Sequence, residues 1–202
     1  MKIPSIYLEK AVEQLAKLPG VGKRSALRLA IHLLKQKPEE IENFANAFLA
    51  LNKNIKKCIS CGNISDFEMC SICSTPSRNK QVICIVEDIR DIIAIEETGI
   101  FHGVYHVLGG IISPMDGIGP ADLNIVNLIS KIEKGEVKEV IFALSATMEG
   151  DTTNFYLYKK IKPFNIQVST LSRGVSIGTE LQYADGITLG RSIINRLPFK
   201  IQ

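Results

Sequence analysis

Four cysteines in a short window set the strongest limit on how this chain can fold. Cys58, Cys61, Cys70 and Cys73 form a CxxC pair, an eight-residue spacer and a second CxxC pair. Two such turns can aim four thiolates at one tetrahedral centre, whose natural occupant is Zn²⁺ at about 2.3 Å from each sulfur. A reducing cytoplasm disfavours disulfides, and the same spacing also admits a redox dithiol pair or an iron–sulfur cluster. The spacer GNISDFEM is too short to form a core, so metal ligation would supply the folding energy of this segment. Four protein ligands leave no open coordination position, so the expected zinc is structural. Cys84, in the apolar run QVICIVE, reads as a small core residue.

The sequence has a different period on each side of the cysteines. Before them, Ile6, Leu8, Ala11, Val12 and Leu15 recur at helical spacing up to Pro19-Gly20. Ala26, Leu27, Ala30, Ile31 and Leu34 form a second stripe over 23–36, and a third helix is expected after Pro38. After them, β-rich runs alternate with helical ones: QVICIVE, DIRDIIAIEETG, GVYHVLGG, ADLNIVNLISKIEKG, EVIFALS, a polar helix from about 151, and NIQVSTLS. That alternation predicts a mostly parallel sheet covered on both faces. With 202 residues, 46% hydrophobic and 22% charged, the chain fits a soluble globular protein of one or two domains plus a small metal-held unit. The longest uncharged stretch, between Glu97 and Asp116, holds four glycines and Pro114 and makes a poor membrane span. Pro4 and Glu9 stand where a signal peptide needs an apolar run, so a cytoplasmic, nucleoid-associated protein is expected.

Charge is divided unevenly. Residues 1–57 hold eleven Lys and Arg against five Asp and Glu, a balance of +6, and the remainder thirteen against sixteen, a balance of −3. A basic N-terminal region is the footprint of polyanion binding, although charge runs on helices also occur as solvated faces. The turn Leu18-Pro19-Gly20-Val21-Gly22-Lys23 sharpens the first reading. Its glycines tolerate positive φ and close backbone approach, Val21 can anchor the turn inward, and the next helix opens with free N–H groups. Lys23 and Arg24 fall in that first turn, with Arg28 on the same face as Arg24. Cations there oppose the helix dipole, and a bound anion would make sense of them. The turn resembles the helix-hairpin-helix element, which grips the sugar-phosphate backbone of DNA without reading bases.

Acidic residues mark the second region. Glu87 follows the strand ICIV, Asp91 lies one helical turn later, and Glu149-Gly150-Asp151 follows EVIFAL. In a parallel sheet these are carboxyl ends of strands, where ligands bind, and such carboxylates suit Mg²⁺. They equally suit the positive ends of helices, Asp88 and Asp91 in one and Glu149 and Asp151 in the next. The layout resembles the Toprim domain, except that Ser145-Ala146-Thr147-Met148 separates the strand from its acidic pair. His102 and His106 are expected on one face of the strand GVYHVL, as core or sheet-surface residues, and His32 lies inside the second helix. Tyr156 and Tyr158 are expected to pack along their helix.

In chain order, the hairpin at 18–23, the cysteines at 58–73, VED-x-x-D at 86–91, SPMDGIGP at 113–120, ATMEGDTT at 146–153 and LSRGVSIGTELQYAD at 171–185 resemble the bacterial recombination mediator family RecR. The resemblance spans nearly the whole chain. It implies an α+β multidomain protein: a helix-hairpin-helix region over 1–55, a zinc finger over 56–77, a Toprim domain over 78–173, and a Walker-B-like, oligomerising segment over 174–202. It implies DNA binding in recombinational repair without catalytic turnover, acting with RecO and RecF to load RecA on gapped or single-strand DNA. A tetrameric ring encircling DNA is also implied, joined through the N-terminal helices and the C-terminal segments. By position, Gly20, Gly22, Lys23, Arg24 and Arg28 would meet DNA. Glu87, Asp91, Glu149 and Asp151 would form a partner-binding surface or a Mg²⁺ site. No GxxxxGK[ST] loop is present, so ATP hydrolysis is not expected. The rival readings are a Mg²⁺-dependent nuclease or primase-like phosphoryl transferase, and a protein adaptor whose hairpin only packs.

Overall fold

The computed structural model describes residues 3–176, 178 and 180–198 and divides into two units, Met1–Ile55 and Lys56–Gln202. In the first, Ser5 caps α1 (Ile6–Leu15) by accepting from the Leu8 N–H. After the glycine turn come α2 (Lys23–Leu34) and α3 (Pro38–Asn54). Pro38 costs α3 no hydrogen bond at its first position, and Glu39 and Glu40 face the positive end of its dipole. The core of this unit is small: Val12 of α1 meets Ala26 and Ala30 of α2, with Leu8, Leu15, Val21 and Leu27 packed around them. No residue of α3 is buried. Its Phe44, Phe48 and Leu51, spaced to share one helical face, are all exposed.

The second unit opens with a two-strand antiparallel ribbon, β1 (Lys56–Lys57) and β2 (Ile64–Ser65), followed by the short helix α4 (Ser71–Ser74). Then β3 (Asn79–Val86), α5 (Ile89–Glu97), β4 (Gly103–Val107), α6 (Ile125–Glu133), β5 (Glu139–Phe142), α7 (Met148–Ile161) and β6 (Gln167–Thr170) alternate, and α8 (Gly186–Ile194) closes the series. The strands form one parallel sheet in the order β4-β3-β5-β6. Successive residues of β3 serve opposite faces. Ile83 and Ile85 enter a core with Leu128 and Ile132 of α6 and Leu157 and Ile161 of α7, whereas Cys84 and Val86 meet Ile92 of α5, Tyr105 and Val107. Two-sided burial is why these strands read as unbroken apolar runs. Cys84 is 2% exposed, and burial pushes its thiol up to about 12.

Two expectations are corrected. The helix expected from about 151 begins at Met148, because the Thr147 hydroxyl accepts from the Gly150 N–H at 3.1 Å and supplies the cap. His102 precedes β4 and is exposed, whereas His106 lies within that strand and is fully buried, so the two do not share a strand face. Among the described residues no helix is long and apolar enough to cross a membrane.

Candidate functional site

Three groups of side chains answer to the sequence motifs. The first is the hairpin. Gly20 has φ of +76°, which an L-residue adopts only with strain, and the Val21 N–H returns to the Leu18 carbonyl at 3.0 Å to close the turn. Gly22 caps α2 with ordinary φ (−77°), so positive φ is required at Gly20 alone. A Cβ at either glycine would meet nothing within 4 Å, which leaves the outer face of the turn open to a ligand. Val21 packs inward on the small core, as its apolar side chain implied. The first turn of α2 has no acidic residue and no side-chain cap. Lys23, Arg24 and Arg28 are exposed while Ala26 and Ala30 are buried; Arg24 and Arg28, four residues apart, share a face turned away from that core, and Lys23 stands at the open first turn. None of the three cations is in an ion pair among the described residues.

The second group is the cysteine knuckle. The ribbon carries Cys58 and Cys61 in one turn: the Cys58 N–H donates to the Asn63 carbonyl at 2.7 Å and the Gly62 N–H to the Cys58 carbonyl at 2.9 Å. The second turn runs into α4, where the Ser74 N–H donates to the Cys70 carbonyl at 3.0 Å. All four sulfurs lie within 4.8 Å of one another and all four residues are buried. The Cys61 and Cys70 sulfurs are 3.6 Å apart, and the Cys70 N–H donates to the Cys58 sulfur at 3.3 Å.

Thiolate chemistry in this pocket is divided. Burial raises the Cys58 thiol, but the N–H groups of Cys70, Cys61 and Ser60 outweigh it and hold the thiol below its ordinary value. Hydrogen bonding from Cys61 brings Cys73 down to about 5, while Cys61, as that donor, is pushed up. A pocket that ionises some thiols but opposes a cluster of bare negative charges is matched to a divalent cation, and four sulfurs at this spacing suit tetrahedral coordination. These cysteines could hold a metal ion.

The third group lies at the carboxyl ends of β3 and β5, between which the strand order reverses. Asp88 caps α5 and is paired with Arg90. Asp91 Oδ2 turns back to accept from the N–H groups of Glu87 and Asp88 at 3.0 and 3.1 Å. Burial, then the neighbouring Asp91 and Asp88, raises the Glu87 carboxyl. Glu149 is exposed in the first turn of α7. Asp151 is engaged by Arg173 at 2.6 Å and Arg191 at 3.5 Å, and these arginines, Arg173 first, hold its carboxyl low. Among the described residues the only set of three or more potential ligands gathered within 4.8 Å is the cysteine quartet. The four carboxylates share one end of the sheet without converging on a point.

In the C-terminal segment, Asp185 caps α8 by accepting from the Thr188 N–H at 2.9 Å. The stretch Gly174 to Asp185, expected from the resemblance to be Walker-B-like, includes Ile177 and Thr179, which lie outside the described residues. Sequence reasoning missed Arg173 and Arg191, which tie this segment to α7. It also missed the need for glycine at 150, where a Cβ would stand 2.0 Å from the Ser145 carbonyl oxygen. The spacing E-G-D held a signal, since a glycine between two helix-opening acids signals a close approach.

Comparison with known proteins adds three family models: the Toprim domain over residues 81–172, the RecR helix-hairpin-helix over residues 8–51, and the RecR C-terminal model over residues 174–197. The chain is 57% identical over 200 residues to the Recombination protein RecR of Parabacteroides distasonis, covering 99% of this chain and 96% of that protein. It is 56% identical over 200 residues to that of Flavobacterium psychrophilum, with 99% and 97% covered. With that of Bacteroides thetaiotaomicron it shares 53% over 196 residues, with 97% and 96% covered.

Proposed function

The chain belongs to the RecR family of recombination proteins, and on that premise we propose that it is a sequence-independent DNA-binding mediator of recombinational repair without catalytic turnover. It acts with RecO- and RecF-type proteins to load a RecA-type recombinase on gapped or single-strand DNA. The observation that carries the reading is the opening turn of α2: free N–H groups, an open glycine face, and exposed Lys23, Arg24 and Arg28 with no carboxylate partner among the described residues. Backbone N–H groups and cations in this arrangement grip phosphates and carry no base code, which suits a protein that acts wherever a gap lies.

The uncovered apolar faces support assembly. Phe44, Phe48 and Leu51 of α3, and Ile187, Ile193, Ile194 and Leu197 in and after α8, are exposed. Burying them between copies favours a homotetrameric ring, in which several weak phosphate contacts add by multivalency. Zn²⁺ in Cys58, Cys61, Cys70 and Cys73 would supply structural bonds only, with no open coordination position. The Toprim end of the sheet, with Glu87, Asp91, Glu149 and Asp151, serves as a partner-binding face in this reading. Phosphoryl transfer at that face is disfavoured, because Asp91 is spent on backbone N–H groups and Asp151 on two arginines.

Binding of labelled oligonucleotides of unrelated sequence, followed by anisotropy over a salt series, tests the reading. Similar affinities and a steep salt slope are expected, with sedimentation giving a mass near four chains. Absence of DNA binding by the wild type at low salt overturns it.

A further inference from the structure

A Zn²⁺ held by four thiolates carries a net charge of about two minus, and a buried centre of that charge calls for a cation nearby. Lys80, Lys131 and Lys134 line one cavity of about 410 Å³ together with Ser60 and Cys73 of the knuckle. None of the three is in an ion pair among the described residues, and Glu136, the carboxylate on the same wall, is exposed. Lys80 and Lys134 are exposed, so water satisfies them; Lys131 is half-buried.

Lys131 sits on α6 beside the buried Leu128 and Ile132, where a helix facing the sheet seldom places a charge. Burial pulls its ammonium down from the ordinary value. The groups acting in the opposite sense are Cys61, then Cys73, Cys58 and Cys70. The partners are fixed relative to each other, because the Val107 N–H donates to the Cys61 carbonyl at 2.8 Å and Ile72 of α4 packs on the sheet core.

We propose that Lys131 is the counter-charge of the metal centre, setting its zinc affinity and coupling metal loading to the seating of α6 against the sheet. The proposal rests on the zinc reading. Metal-loaded thiolates offset the lysine's burial. Protonated, metal-free thiols do not, and the amine is then left half-buried without a partner.

The test uses the full chain loaded with Zn²⁺ and measures zinc per chain, then affinity by chelator competition. Lys131→Met keeps the apolar stem and removes the charge, Lys131→Arg keeps the charge, and Lys134→Met controls for position. Lys131→Met is expected to weaken zinc binding by about tenfold or more, the scale of outer-shell effects on metal sites, with Lys131→Arg and Lys134→Met close to wild type. Wild-type affinity in Lys131→Met overturns the proposal. If Lys131→Met fails to fold while Lys131→Arg folds with normal affinity, the charge is upheld as the cause; if both fail, it is overturned. A wild type that binds no zinc removes the metal reading as well, whereas a zinc-binding wild type matched by Lys131→Met removes only this inference.

Discussion

The backbone N–H of Val107 donates to the carbonyl of Cys61 at 2.8 Å, so the edge strand of the sheet is hydrogen-bonded to a residue of the cysteine knuckle. β4 pairs with β3 on one side only. The knuckle occupies part of the other side, where an open edge would otherwise invite pairing with another chain. Ile72, between Cys70 and Cys73, packs on both the cysteine cluster and the core of Cys84 and Val86. The knuckle and the sheet therefore share a wall.

Loss of the metal should accordingly be felt in the sheet. Cys61→Ser is expected to cost at least about 3 kcal/mol, since removal of a structural metal is among the few single changes of that size. Thermal unfolding with and without chelator checks this. Chelation should lower the wild-type midpoint and leave Cys61→Ser unmoved, and hydrogen exchange at Val107 should rise in both cases.

Two hairpin glycines separate strain from contact. Gly20→Ala places a side chain at φ +76° and should cost about 1 kcal/mol of stability. Gly22→Ala, at φ −77°, should leave stability nearly unchanged. Any loss of DNA affinity there then reports a Cβ in the path of the phosphate backbone. Charge reversal at Arg24 and Arg28 together should reduce the salt slope of DNA binding by about 2 or more, one for each lost phosphate contact. Unchanged slope in that double variant would remove α2 from the DNA interface.

What was legible in the sequence was what local chemistry dictates. CxxC spacing brought four sulfurs together, Pro19-Gly20 ended α1, and the double-sided apolar strands announced a parallel sheet. What escaped depended on distant partners. Asp151 reads as an acid at a helix start, but its carboxylate is occupied by Arg173 and Arg191, more than twenty residues away. Lys131 carries no mark in the sequence, and only the folded chain sets it on one cavity wall with Cys73. His106 could be assigned to a strand by pattern. Its separation from His102 turns on where β4 starts, and Gly103 begins that strand one residue after His102.

Asp151→Asn should loosen the C-terminal helix. The two arginine contacts are partly exposed, so the loss in global stability is expected to be only about 0.5–1 kcal/mol and to shrink as salt rises. Local opening should respond more strongly. Amide exchange across α8 and proteolysis after Arg173 should both quicken in low salt, with little change in α6. Equal exchange in the variant and the wild type would mean that apolar packing alone holds α8.

His106 gives the fold a pH dependence with a definite sign. The ring is fully buried in β4, its Nε2–H donates to the Asn124 carbonyl at 2.6 Å, and Nδ1 has no partner among the described residues. Burial, then the charge of Lys131, pushes its pKa down to about 4 from the ordinary 6.5. Well above pH 6.5 the ring is neutral in both states and contributes no slope. As pH falls from 6.5 towards 4 the unfolded chain takes up a proton that the folded chain refuses, so stability drops, by up to about 3 kcal/mol, and levels off below the folded value. His106→Gln can still donate to Asn124 but cannot titrate. Its stability at neutral pH should be lower than wild type, and the gap should narrow steadily between pH 7 and pH 5 in urea unfolding. Thiol protonation acts on both proteins alike and cancels in the difference. A gap that stays constant over that range would mean that the ring opens to water before it protonates, and that the buried neutral histidine is not a source of acid lability.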